Sequence, residues 1–265
     1  MHHAHIDKFA YQDSPIHRLD PRAKLAVTLF GTLAIASLPR FSPDLAFYTW
    51  LGPFALLVLG RIPLRFAAKH IAWTLPFVLV LALTSLWYDK TPTTILFGPL
   101  LWQSTLGWLK CLTLTAKFIG SMLALIALIS TTRFSDLLMV LQRWHVPEIL
   151  VIQLGFLYRY IFVLIDKAHH TVRARTTRTL KRLAPKQELR IGTAMIGSVL
   201  IQSLDTSTRI TQAMQARGFV GQWHSPKQFD MKRGDWLFLG LATLYIGMLM
   251  YLSHLVGSVN SVRPT

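Results

Sequence analysis

Two short Ala-Arg units stand far apart in the chain, Arg173-Ala174-Arg175-Thr176 and Gln215-Ala216-Arg217-Gly218. A guanidinium offers a planar fork of donors that fits a carboxylate, and a small neighbour lets a partner come close. Helical spacing puts Ala168, Val172, Arg175 and Thr179 on one face, and Ile210, Ala213, Met214 and Arg217 on another. Each arginine then projects beside small or apolar neighbours within a basic surround. Gly218 suits a helix C-cap. A single Ala-Arg pair is ordinarily solvated charge. Two copies on two helices of one region favour a two-pronged contact with acidic pockets.

The remaining polar candidates are weaker. His2, His3 and His5 carry imidazoles that suit Co, Ni, Cu or Zn, but a terminal tail without supporting hydrogen bonds chelates poorly. A solvated tail is the better reading, and no metal ligand is assigned to this chain. Lys110 and Lys117 interrupt an apolar run on one face. An intramembrane cation is costly and is by default a functional feature. Against that, Lys110 is near enough to the end to snorkel, and Lys117 can face another helix or a partner. Gly240 and Gly247 suit close helix packing in the last apolar run. No phosphate-binding G-x-x-x-x-G-K-[ST], H-E-x-x-H, C-x-x-C or G-x-S-x-G pattern occurs, and Cys111 is the only cysteine. No cofactor site or catalytic constellation is visible, so energy for any work must come from a partner or a gradient.

The elements that position these residues follow from composition. The 265 residues are 52% hydrophobic with mean hydropathy +0.40, yet 28 Lys/Arg against 12 Asp/Glu leave a net charge of +16. A disordered polycation would lack the apolar residues, and a soluble enzyme does not need long apolar runs. Five runs approach the roughly 20 residues that cross a bilayer: Ala23–Leu38, Asp44–Gly60, Ile71–Tyr88, Thr105–Ser130 and Trp236–Val256. Lys24 is expected to snorkel to the interface at the first. The segment before it has no signal-peptide pattern. Basic residues alternate between loops: Lys8, Arg18, Arg22 and Lys24, then Arg61, Arg65 and Lys69, against only Arg40 and only Lys90 in the intervening linkers. The N-terminus and the long central region are therefore expected in the cytoplasm, and the C-terminal tail outside.

The central stretch 131–235 holds 16 of the 28 Lys/Arg and 7 of the 12 acids, and its periodicity is helical. Phe134, Leu137, Leu138, Leu141 and Trp144 share a face, with Ser135 as the expected N-cap and Pro147 as a stop. Ile149–Ile165 runs on into a basic stretch up to Pro185, and a second helix extends from about Lys186 to Gly218. Ile149–Ile165 and Ile191–Leu204 are short for spans; long amphipathic helices against the membrane or a partner are expected, with seven spans the alternative to five. The expectation is an all-α polytopic membrane protein with about five transmembrane helices and a cytoplasmic two-helix coupling region. Its parts are 1–130 with four spans, 131–235 with the coupling helices, and 236–265 with the last span.

His17-Arg18-Leu19-Asp20-Pro21-Arg22-Ala23-Lys24-Leu25 resembles the L-D-P-R-x-K-L start of the first span in transmembrane (T) components of energy-coupling-factor (ECF) transporters. Ala213-Met214-Gln215-Ala216-Arg217-Gly218-Phe219 resembles that family's Ala-Arg-Gly motif, and the opening Met1–Tyr11 is similar to its cobalt-type, CbiQ-like branch. The resemblance covers essentially the whole chain. It implies a non-catalytic scaffold in the cell (inner or plasma) membrane, docked by two ABC-type ATPase subunits that carry ATP. A separate membrane-embedded subunit would bind the substrate, Co2+ or, alternatively, Ni2+. By position Ala174, Arg175 and Thr176 match the first ATPase-coupling motif and Ala216, Arg217 and Gly218 the second; Thr176 departs from the family's glycine. A membrane enzyme acting on anionic lipid is a rival, but it needs convergent polar groups at one depth, and none is evident. Nucleic-acid binding is disfavoured by the spanning runs, since basic cytoplasmic loops have a simpler cause.

Overall fold

The structure is a computed structural model that describes the backbone of residues 9–39, 43–88, 92–97, 100–179, 184–219, 221 and 231–261. Apart from one hairpin and the turns and connections, these residues form helices: α1 (Pro21–Ser37), α2 (Pro43–Tyr48), α3 (Leu51–Leu59), α4 (Leu64–Tyr88), α5 (Leu106–Thr131), α6 (Phe134–Arg143), α7 (Glu148–Arg178), α8 (Pro185–Ala216) and α9 (Arg233–Ser261). The chain divides into two compact units, one from Ile6–Leu137 with Phe229–Thr265 and one containing Leu138–Gln228.

In the first unit α5 is the central post. Its 26 residues reach about 39 Å at 1.5 Å per residue, enough to cross a bilayer. It packs against α1, α2, α3 and α4, and small residues permit this: Gly107, Ala116, Gly120, Ala124 and Ala127 are all buried along it. Leu123, Ile126 and Ala127 join Leu57, Ile62 and Ala67 in one apolar core. Between α4 and α5, β1 (Pro92–Phe97) pairs antiparallel with β2 (Leu100–Thr105), Phe97 facing Leu100, where sequence reading placed only a linker.

The run expected as the second span, Asp44–Gly60, is interrupted at Thr49–Trp50. The cause is Pro53. Proline has no N–H for the Thr49 carbonyl four residues back, and its ring crowds that carbonyl. The break docks onto α5 instead: Thr49 is fully buried, and Trp50 Nε1 donates to Ala116 O at 2.7 Å. A Cβ on Gly120 would lie 2.5 Å from Thr49 Oγ1, so only glycine admits the contact. On the other side Tyr245 of α9 donates to Tyr48 O at 2.7 Å and accepts from Gly52 N at 3.3 Å. Close packing expected at Gly240 and Gly247 is not found among the described residues, where neither has an atom within 4 Å of a built Cβ; Gly52 and Gly120 serve that role.

Among the described residues four helices, α4, α5, α7 and α9, are long enough and contain a stretch apolar enough to cross a membrane. Helix α1, at 17 residues, falls just short. The protein is thus an all-α polytopic membrane protein, as its composition requires. Helix α7 meets the same length and composition test as the spans, because its apolar half and basic half are one unbroken 31-residue helix.

Candidate functional site

The motif arginines belong to the second unit, whose main elements are α7 and α8. Pro185 opens α8 at its first position, where its missing N–H costs nothing. The two helices then run back past each other and are bridged at two levels. Lys167 Nζ donates to Thr206 Oγ1 and, at 3.5 Å, to Gln202 O. Nearer the connection, Arg175 Nη2 meets Glu188 Oε1 at 3.3 Å. Ala174, Arg175 and Thr176 lie inside α7, short of its end at Arg178. Thr176 Oγ1 donates to Arg173 O at 2.8 Å, and the helix continues to Arg178 through the position where the second motif has glycine.

The second motif is a helix terminus. Ala216 is the last residue of α8 and Arg217 its C-cap. Gly218 has φ +78°, a left-handed conformation that disfavours residues with a Cβ. Gly218 N donates to Gln215 O and Phe219 N to Met214 O, both at 3.0 Å, the paired bonds of a Schellman ending. Arg217 is exposed there, its charge at the C-terminal end of α8, where the helix dipole favours a cation. The two motifs therefore offer their guanidiniums differently. Arg217 is open on a fixed turn, whereas Arg175 is three-quarters covered and holds an acidic side chain already. That pair is largely exposed at Glu188 and contributes about 0–1 kcal/mol, so a better carboxylate can replace it.

Both helices leave wide apolar faces exposed: Ile149, Leu150 and Leu157 on α7, and Leu189, Ile196, Leu200, Ile201 and Leu204 on α8. No described residue of α8 is buried. Among the described residues no group of three His, Cys, Asp or Glu side chains is arranged to hold a metal. His2, His3 and His5 lie outside the described residues.

In the first unit the Leu19-Asp20-Pro21-Arg22 segment is a structural clasp. Asp20 caps α1, accepting from Arg22 N at 2.9 Å, with Pro21 at the first helical position. Its own N–H goes to Asp235 Oδ1 at 2.8 Å, and Asp235 Oδ2 accepts from Lys232 N. One buried carboxylate thus ties the start of α1 to the start of α9. Lys24, expected to snorkel, is instead buried and donates to Thr131 O at 3.0 Å and His17 O at 3.3 Å. One acceptor ends α5 and the other precedes α1, so the ammonium is satisfied inside the fold. Sequence reading missed Asp235. An acid one residue before the last apolar run was its only trace. The expected N-cap Ser135 falls inside α6, which begins at Phe134.

Residues 12–228 match the family model described as CbiQ, cobalt transport protein. The chain is 30% identical over 254 residues to the cobalt transport protein CbiQ of Rhodobacter capsulatus, covering 93% of this chain and 99% of that relative. It is 26% identical to the energy-coupling factor transporter transmembrane protein EcfT of Leuconostoc gelidum, over 83% of this chain and 85% of the relative.

Proposed function

The chain belongs to the CbiQ cobalt transport protein family, as a transmembrane component of an ECF transporter, and we propose that it couples ATPase motion to cobalt import. Two ABC-type ATPase subunits dock on the cytoplasmic ends of α7 and α8, one at Arg175 and the other at Arg217. A membrane-embedded substrate-binding subunit lies on the exposed apolar faces of the same helices. Neither Co2+ nor ATP is bound by this chain; the first belongs to the substrate subunit and the second to the ATPases. The N-terminus and the α7–α8 region face the cytoplasm, in keeping with their excess of Lys/Arg.

One observation carries this reading: the glycine-terminated end of α8, which fixes Arg217 in the open. A lever transmits force only where its ends are anchored, and a frayed terminus would absorb the motion. Helix α7 supplies the same economy along its length, because one unbroken helix joins an apolar grip to a basic one. Replacing cobalt by nickel would leave every residue of this mechanism unchanged, since the metal is selected elsewhere.

Affinity purification of the tagged chain from membranes tests the assignment. Two ATPase subunits and one further membrane subunit should accompany it, and vesicles holding the complex should accumulate Co2+ when supplied with ATP. Recovery of the chain without any ATPase, from cells that express one, would refute the proposal. Uptake of Ni2+ in preference to Co2+ would refute its choice of metal.

A further inference from the structure

Helix α4 carries two opposite faces. On one, Ala67 is buried with Leu123 and Ala127 of α5, Val78 and Ala82 are also buried, and Ser85 donates to Gly107 O at 3.1 Å. On the other, Arg65, Lys69, Trp73, Phe77 and Val80 follow at spacings of three and four residues, so they form one stripe. All five are exposed, Trp73 at 82% and Phe77 at 73%. The stripe begins basic and turns apolar at Trp73. Arg61, exposed on the turn before the helix, adds a third cation. Among the described residues neither Arg65 nor Lys69 meets a carboxylate within ion-pair distance, and α4 itself contains no Asp or Glu.

Neither helix stability nor topology accounts for this alignment. Cations near the start of a helix oppose its dipole, and no acid in the first turn offsets them. Lys/Arg on one side of a membrane orient a chain, but they do so from any face of a helix. Here they crown the outward stripe of a helix long and apolar enough to span. Trp73 lies four residues below Lys69, about 6 Å along the axis, and tryptophan favours the headgroup level. That depth puts Lys69 among the headgroups and Arg65 at their outer edge. A soluble anion would meet two exposed charges, a weak contact in water. A lipid brings its anion attached to a chain that matches the apolar part of the stripe. We propose that Arg65 and Lys69 bind the headgroup phosphate of an anionic phospholipid, whose acyl chain lies along Trp73, Phe77 and Val80.

The test uses the full chain in nanodiscs of mixed phosphatidylglycerol and phosphatidylcholine, one of which carries a photoreactive group near the top of its acyl chain. Phosphatidylglycerol should label the peptide containing Trp73 and Phe77 about fivefold more than phosphatidylcholine, the scale of one basic residue at an anionic surface. Changing Arg65→Gln and Lys69→Gln together should remove that preference, whereas Arg65→Lys with Lys69→Arg should keep it. Labelling of the exposed apolar face of α9 around Leu241 and Leu244 should be the same in all three proteins. Matching elution profiles and melting temperatures establish that the variants are folded. Equal labelling by the two lipids, or an undiminished preference in the double glutamine variant, would overturn the proposal. A parallel loss at α9 would reduce the effect to overall charge. Displacement of the label by inorganic phosphate would assign the cations to a soluble anion, and its loss in the assembled transporter would assign the face to a partner subunit. Each of these three results overturns the lipid assignment.

Discussion

Replacing Gly218 by alanine perturbs the end of α8 and little else. No described atom lies within 4 Å of the position its Cβ would take, and the backbone there has φ +78°. The cost is therefore conformational rather than steric, about 1–2 kcal/mol for an L-residue held in the left-handed region. Two hydrogen bonds depend on that conformation, Gly218 N to Gln215 O and Phe219 N to Met214 O. A loss of about 1 kcal/mol corresponds to roughly fivefold more frequent local opening. Hydrogen exchange at the amides of positions 218 and 219 should accelerate by about that factor, while amides in the middle of α8 are unchanged. Gly218→Asn should fall between wild type and alanine, because asparagine tolerates this conformation better. Recovery of ATPase with the tagged chain should decline in the same order. Unchanged exchange in Gly218→Ala would refute the glycine-dependent ending. Faster exchange with undiminished ATPase recovery would refute the link between that ending and docking.

Three further outcomes follow from other contacts. Gly120→Ala places a methyl 2.5 Å from Thr49 Oγ1 and should destabilise the purified chain by about 1–3 kcal/mol. Thr49→Ala in the same chain removes the clashing atom, so the double variant should melt nearer to wild type than the sum of the two single changes. Asp235→Ala strips acceptors from Asp20 N–H and Lys232 N–H and should cost about 1–3 kcal/mol in thermal unfolding; Asp235→Asn, which keeps one oxygen, should cost less. Glu188→Gln frees Arg175 from an exposed ion pair worth at most about 1 kcal/mol. ATPase recovery should then rise by up to about fivefold, and a fall would show that Glu188 supports docking instead of competing with it.

The long apolar helices were legible because about 20 residues without charge admit few other structures. Helices α4, α5 and α9 arise where the runs are. Helix α8 was legible at its end, from Gly218 after the last turn, whereas Pro185, read as the stop of the preceding helix, instead opens α8 at its first position. The interruption at Thr49 was legible in principle from Pro53, but hydropathy averages over one missing N–H. Long-range partners were not legible. Asp20 meets Asp235 across 215 positions, and Lys117 meets Leu38 O across 79. Carbonyl acceptors leave no mark on the side-chain sequence, so Lys24 read as a snorkelling cation while the fold buries it against Thr131 O. The same limit applies to glycines: Gly240 and Gly247 match a packing pattern, yet Gly52 and Gly120 face the close neighbours. At the motifs, Thr176 in place of glycine already set Arg175 apart from Arg217, and the Glu188 contact and the α8 ending give that difference its physical form.

Arg217 is proposed to transmit ATPase motion into transport, and ATP-driven Co2+ uptake by the reconstituted complex is the assay for that role. Wild type and Arg217→Glu are compared at matched amounts of incorporated chain, with uptake and ATP hydrolysis measured on the same vesicles. Arg217→Glu should abolish uptake and lose ATPase subunits, because a carboxylate would then face the acidic pocket proposed to receive the arginine. Wild-type uptake with a full complement of ATPase subunits in Arg217→Glu would contradict it.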